Sequence, residues 1–263
     1  MTLTSPCFLR TLQGKIRPPI EQFDLESSAT LKIFLNDNKA FDKFISLVKS
    51  VLPHNPKRML DIGCGYGALT LMIKEALGIP ECWGVDIDKE RMTVAKQRGI
   101  KLCEVDMETQ PLPFPNEYFD IIISFGVIEH LKYFDNLISE AHRTLRKEGV
   151  FILSCPNLAS YINRILLLLG YQPIDCEISN KTRTGLPNPI LLKEVYGHLH
   201  APTLKAIKQL LKHYGFTITK TLGLRALAPP YYNQKIALLT PIDKLFSKFP
   251  SLALRFTIIA QRA

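Results

Sequence analysis

Three glycines at alternate positions, in Asp61-Ile-Gly-Cys-Gly-Tyr-Gly67, mark the segment whose chemistry is most legible. Glycine at 63, 65 and 67 permits positive φ and lets a ligand reach the backbone with no Cβ between them. The turn follows the apolar run Arg58-Met-Leu-Asp-Ile62 and precedes the helical pattern Ala68 to Leu77. Asp86 ends the next apolar run, about 20 residues on, where an acid can grip the ribose hydroxyls of a nucleotide-like cofactor. A dinucleotide site spaces its glycines G-x-G-x-x-G. The spacing here is D-x-G-x-G-x-G, which suits a cofactor with a cationic amino-acid end and no pyrophosphate. A second candidate is Glu129-His130, just after the run Phe119-Asp-Ile-Ile-Ile-Ser124. At the carboxyl edge of a parallel sheet, where ligands bind, an imidazole can take the proton of a hydroxyl acceptor. The alternative is structural: the pair caps the following helix or bonds within a neighbouring segment.

These side chains need a scaffold, and the apolar periodicity supplies one. Phe41 to Leu52 reads as an amphipathic helix ended by Pro53, and strands follow at 58–62, 81–85, 100–103, 119–124 and 150–154. Helices at 68–77, 89–98 and 134–146 alternate with them, which predicts a parallel sheet with right-handed crossovers. After Pro156 the rhythm breaks into an apolar helix, Leu158 to Leu169, and a proline-bearing polar stretch. A helix from Thr203 to Tyr214 and a strand from Phe216 to Leu222 resume it. Residues 226–250 read as irregular, and Leu252 to Ile259 as a last strand. The expected organisation is an N-terminal helical segment (1–57), a cofactor-binding core (58–155), a lid or substrate insertion (156–200) and a completion of the sheet (201–263).

Composition sets outer bounds. At 263 residues, 46% apolar and 22% charged, the chain has the profile of a globular protein. No start of the secretory type and no run near the roughly 20 apolar residues of a membrane span is visible, and the longest run is Ile165-Leu-Leu-Leu-Leu169. The six cysteines are scattered without metal-ligand spacing, so they read as reduced core thiols and the expected compartment is the cytoplasm. The net charge of +9 is lopsided: residues 1–150 sum to −1 and residues 151–263 to +10. Such a field either solvates a face or draws an acidic substrate, an anionic membrane surface or a nucleic acid. No nucleic-acid module and no interleaving of aromatic with basic residues accompanies it, which disfavours nucleic acid as a partner.

Met59 to Thr70 resembles the first motif of the class I S-adenosylmethionine-dependent methyltransferases, and Gly84-Val-Asp-Ile-Asp88 resembles their second acidic motif. Val105-Asp-Met-Glu-Thr-Gln-Pro-Leu-Pro-Phe114 with Phe119-Asp-Ile-Ile-Ile-Ser124 is similar to the type 11/23 families, and the likeness continues through Cys155-Pro-Asn157 to Leu210-Leu-Lys-His-Tyr-Gly-Phe216. The resemblance implies an α/β Rossmann-like sheet of seven strands, ordered 3-2-1-4-5-7-6, with strand 7 antiparallel. It implies S-adenosyl-L-methionine as cofactor. Asp61 and the backbone of Gly63, Cys64, Gly65 and Gly67 would hold its methionine end. Asp86 would take the ribose, Ile87 would pack on the adenine, and Asp106 with the Met107 backbone would take the adenine amino group. Ser124 and Phe125 would line the sulfonium side. A related pattern, E-x-x-E-H with a distant histidine, binds a divalent metal in methyltransferases resembling small-RNA 2′-O- and ubiquinone-pathway enzymes. Glu129 and His130 match its end and His198 its distant histidine, but Gly126 stands where the first acid belongs, so no metal is expected.

The expected activity is methyl transfer to a small or lipid-linked acceptor with an anionic head, at oxygen rather than nitrogen, with His130 and Glu129 as catalytic groups. Ser124-Phe-Gly-Val127 lacks the Asn/Asp-Pro-Pro-Tyr that clamps planar amines, and Cys155 has no companion cysteine motif. The alternatives are an RNA methyltransferase or a non-catalytic cofactor-binding protein. The helix Leu158 to Leu169, with Lys181 and Arg183 beyond it, should bury its apolar surface against the sheet, an acceptor tail or an anionic membrane.

Overall fold

The computed structural model describes residues 29–187, 195–225 and 240–263. The expectations for residues 1–28, for 188–194 of the insertion and for 226–239 therefore lie outside the described residues. In chain order the elements are α1 (Ala29–Asn36), α2 (Asn38–Lys49), β1 (Arg58–Ile62), α3 (Ala68–Leu77), β2 (Glu81–Asp86), α4 (Lys89–Gln97) and β3 (Lys101–Glu104). They continue with β4 (Phe119–Phe125), a 3-10 turn (Ile128–His130), α5 (Asp135–Thr144), β5 (Leu145–Pro156), α6 (Tyr161–Leu168), α7 (Leu204–His213), β6 (Phe216–Leu224), α8 (Thr240–Phe246) and β7 (Arg255–Arg262).

The strands form one sheet in the order β3-β2-β1-β4-β5-β7-β6. β1 to β5 pair in parallel, and β7 runs antiparallel to both β5 and β6. This is the order and sense expected from the resemblance. The strands alternate side chains between two cores. Ile121 and Ile123 face a cluster built with α1, α2 and α3, where Phe34, Phe41 and Phe44 pack on one another. Ile122 faces the opposite cluster, with Leu137 and Ile138 of α5 and Ile207 and Leu211 of α7. The central strand β4 is buried on both sides because each side is covered by helices.

Three expectations are corrected. The last strand runs from Arg255 to Arg262 rather than from Leu252 to Ile259, because residues 249–253 close a turn through Leu252 N–H and Ala253 N–H to the Phe249 carbonyl. Within the stretch read as irregular lies α8, whose Pro241 sits in the first turn, where a missing N–H costs nothing. The apolar helix shortens to Tyr161–Leu168, capped by the Ser160 hydroxyl, which accepts from Asn163 N–H. It buries only one face, through Tyr161, Ile162 and Leu166, in a third small cluster with Ile174, Leu186 and Leu254.

Candidate functional site

A cleft of about 360 Å³ opens at the carboxyl edge of β1, β2 and β4. Its floor is the glycine turn. Gly63, Gly65 and Gly67 have φ of +77°, +51° and +81°, all left-handed. Their reasons differ. A Cβ on Gly63 would lie 2.2 Å from Val127 Cγ2, and one on Gly67 would lie 2.3 Å from Ile100 Cδ1. A Cβ on Gly65 would meet nothing within 4 Å, because Gly65 borders the cleft. Two glycines thus let the protein pack on itself, and the middle one keeps the cradle open. Gly67 also begins α3 with no side-chain cap, and Ala68 and Leu69 of its first turn line the cleft. A helix start of this kind favours a carboxylate nearby.

Asp86 braces the turn from β2. Its Oδ2 accepts from Gly65 N–H at 2.8 Å, and its Oδ1 accepts from Ile87 N–H and Asp88 N–H at 2.8 and 3.0 Å. Three N–H groups fill three of about four acceptor directions of a carboxylate, leaving one on the cleft side for a hydroxyl. Asp61, on β1, is buried, and its Oδ2 accepts from the Thr70 hydroxyl at 2.5 Å. Burial, with Asp86 of like sign nearby, pushes its pKa up to about 7 despite the Thr70 bond. Asp106 folds the next loop on itself, its carboxylate accepting from Glu108 N–H and the Thr109 hydroxyl. Asn136 holds that loop from α5 by donating to the Met107 and Gln110 carbonyls. Asp61, Asp86 and Asp106 line the cleft against Arg91, which is itself ion-paired with Asp88 at 3.0 Å. Such a cleft suits a cationic, hydroxyl-rich molecule, and the open cradle at Gly65 gives it room.

The expected cofactor residues Asp61, Gly63, Cys64, Gly65, Gly67, Asp86, Ile87, Asp106, Met107 and Phe125 all line this cleft. Ser124 does not; it is fully buried in the sheet one residue before the edge, where the strand's alternation turns it away from Phe125. Leu31 of α1, Tyr66, Val127 and Tyr196 line the cleft without having been singled out. The apolar period of α1 could have flagged Leu31 as buried, but not what it covers.

The far wall carries His130. Its Nδ1 lies 3.2 Å from the Gly197 carbonyl oxygen. A carbonyl only accepts, so Nδ1 is the donor, and the tautomer this contact selects has its lone pair on Nε2. Gly197 is held in turn: Glu177 accepts the N–H groups of Tyr196, Gly197 and His198 at 3.0, 2.7 and 3.1 Å. Arg183 pairs with Glu177 at 2.8 Å, buried on both sides. Arg183 therefore cannot meet a membrane, contrary to the expectation for it. His198 packs edge-on against His130, with ring centroids 4.9 Å apart, and burial and the charges around it push its pKa down to about 2.

Glu129 does not reach the cleft. It is buried behind His130, its Oε1 accepting from Arg255 Nη2 at 3.1 Å, and its carbonyl accepts from Leu199 N–H. Among the described residues, Glu129, His130 and His198 bring possible donor atoms within 4.8 Å of one another. Within this set the Glu129 carboxylate is already committed to Arg255. A Cβ on Gly126, where a first acid would stand, would lie 3.6 Å from Glu129 Oε1 and 3.7 Å from Arg255 Nη2. A guanidinium already neutralises the one carboxylate and would repel a dication beside it.

Residues 37–221 match a family model described as a methyltransferase domain. An uncharacterized protein of Methanocaldococcus jannaschii is 27% identical over 176 residues, covering 65% of this chain and 66% of that protein. The cyclopropane-fatty-acyl-phospholipid synthase of Escherichia coli is 35% identical over 125 residues, or 44% of this chain and 32% of the synthase. The chain thus spans about two thirds or less of the length of these relatives. In fold it is similar to a solved S-adenosylmethionine-dependent methyltransferase of Archaeoglobus fulgidus, at 19% identity and a TM-score of 0.53, covering 92% of this chain and 100% of that one.

Proposed function

Since this chain belongs to the methyltransferase-domain family, we propose that it uses S-adenosylmethionine to methylate a hydroxyl of a small or lipid-linked acceptor, with His130 as general base. Bound in the cleft, the cofactor supplies an electrophilic methyl group on a cationic sulfur. Asp86 would hold its ribose hydroxyls, Asp61 its amino end and Asp106 its adenine edge. Displacement at a methyl group is in-line, so the protein contributes mainly by alignment and by removing the hydroxyl proton. The observation that carries the reading is the Nδ1 contact of His130 with the Gly197 carbonyl, which leaves Nε2 as an acceptor at the cleft wall. His130 Nε2 takes the acceptor's proton as its oxygen attacks, and the Gly197 carbonyl stabilises the imidazolium that results. Arg255 and Glu129 act as positioning residues behind it. In the same reading α1 roofs the cofactor, residues 58–155 form its binding core, the described residues of 156–200 cover the acceptor side, and those of 201–263 complete the sheet.

The test is incubation of the purified protein with methyl-labelled cofactor and a cell extract, followed by chemical identification of the labelled product. An O-methyl ether is expected. His130→Ala should lower turnover by about 10²–10⁴-fold with cofactor affinity unchanged. A labelled amine, or full turnover in His130→Ala, overturns the reading.

A further inference from the structure

The outer side of the segment after β5 combines two features that rarely coexist on a solvated face. The first is apolar. Ile165, Leu167, Leu168 and Leu169 on and just past α6 point to solvent, Leu168 with 86% of its surface exposed. Ile242, Leu245 and Phe249 on and just past α8 do the same. The two helices are neighbours, because the Phe246 ring stacks on the Tyr161 ring at 4.5 Å and 18° within the third cluster. Their inner faces are joined there, and their outer faces are left uncovered among the described residues.

The second feature is electrostatic. Every described acid after residue 150 is turned inward. The Asp243 residue keeps 1% of its surface, and the Glu177 and Asp175 side chains keep 7% and 15%. The bases Arg164, Lys181, Lys244 and Lys248 remain outside. The sequence shows only an excess of positive charge here. The structure makes the exterior of α6 and α8 purely cationic wherever it is charged, with leucines between the bases.

We propose that the outer faces of α6 and α8 dock this protein on an anionic lipid bilayer, with the exposed leucines entering the interfacial region and Arg164, Lys244 and Lys248 meeting lipid phosphates. A second copy of the chain fits the face poorly, because a self-complementary contact would set the same bases against one another. A small lipid fits poorly too, since the face is convex helix surface and the cleft at the sheet edge does not include it. Because β5 ends at the same carboxyl edge as the cleft, docking here would bring that edge toward the bilayer. The proposal stands on surface chemistry alone and does not require the acceptor to be a lipid.

The experiment is vesicle sedimentation of the full chain with phosphatidylglycerol–phosphatidylcholine vesicles and with pure phosphatidylcholine, at low and high salt. Binding to the anionic vesicles, weakened by salt, is expected. Each exposed base contributes roughly fivefold to such partitioning, so the double variant Lys244→Glu with Lys248→Glu should lose well over tenfold. Leu168→Glu with Leu245→Glu should lose a comparable factor. Circular dichroism and thermal melting unchanged from the parent establish that these surface variants are folded. Equal binding to neutral and anionic vesicles, or binding indifferent to both double variants, overturns the proposal. So does a concentration-dependent dimer in sedimentation velocity that Leu168→Glu with Leu245→Glu dissolves. No turnover is measured, so failure here leaves the methyl-transfer reading standing.

Discussion

Gly63→Ala and Gly65→Ala look equivalent in sequence and should behave oppositely. Both glycines sit at positive φ, where any other L-residue costs roughly 1–2 kcal/mol. Gly63 carries a further penalty, because its new methyl would lie 2.2 Å from Val127 Cγ2 and something must move. Forcing a methyl into packed surroundings costs roughly 1–3 kcal/mol, so Gly63→Ala should destabilise the fold by about 2–5 kcal/mol. Gly65→Ala meets nothing within 4 Å and should cost only the backbone share. Its methyl would instead occupy the cofactor cradle and weaken S-adenosylmethionine binding at least about tenfold, which is roughly 1.4 kcal/mol. Urea unfolding separates the stabilities, and calorimetry reads the affinities. Val127→Ala removes the clashing carbon, so in the Gly63→Ala background it should recover roughly 1–3 kcal/mol as a coupling energy. Equal urea midpoints for the two glycine variants, or no coupling between positions 63 and 127, would refute the reasoning.

Asp61 predicts a pH dependence. The folded chain keeps its proton up to about pH 7, while an ordinary aspartate releases it near 3.8, so this group's contribution to the stability of the free protein falls between those values as pH rises. A cationic ligand favours the ionised carboxylate, so cofactor affinity should rise through pH 7 with proton release, measurable by calorimetry in two buffers. Asp61→Asn should abolish the release. Glu177→Ala strands the buried Arg183 and frees the turn that presents the Gly197 carbonyl. It should cost about 3–5 kcal/mol in urea unfolding, and at a temperature where the variant is folded it should lower kcat more than it raises the cofactor Kd. Removing residues 251–263 takes out the strand between β5 and β6 and leaves two unpaired edges, so the truncated chain should be recovered only as aggregate on size exclusion. A monodisperse, cooperatively melting truncation would contradict the assigned sheet order.

What could be read from the chain itself was whatever is local. The glycine turn, Asp86 at the end of the second strand and the alternation of strand and helix are short-range patterns, and a period of two or 3.6 records which face is buried. The family likeness supplied the order of strands and ten of the residues that line the cleft, because a motif names both residue and position. Other decisions rest on contacts between distant parts of the chain, to which no local pattern points. Glu129 looks like a catalytic acid beside His130 until Arg255, 126 residues away, is found on its carboxylate. The tautomer of His130 depends on a carbonyl 67 residues on, and that carbonyl on Glu177 and Arg183. Arg183 reads as a surface charge in sequence and is buried in an ion pair. The helix after β5 is apolar nearly all round, yet only packing decided which side meets the third cluster and which meets solvent. Net charge is a sum over the chain, and which charges stay in water depends on folding, which drew Asp175, Glu177 and Asp243 inward and left Arg164, Lys181, Lys244 and Lys248 outside.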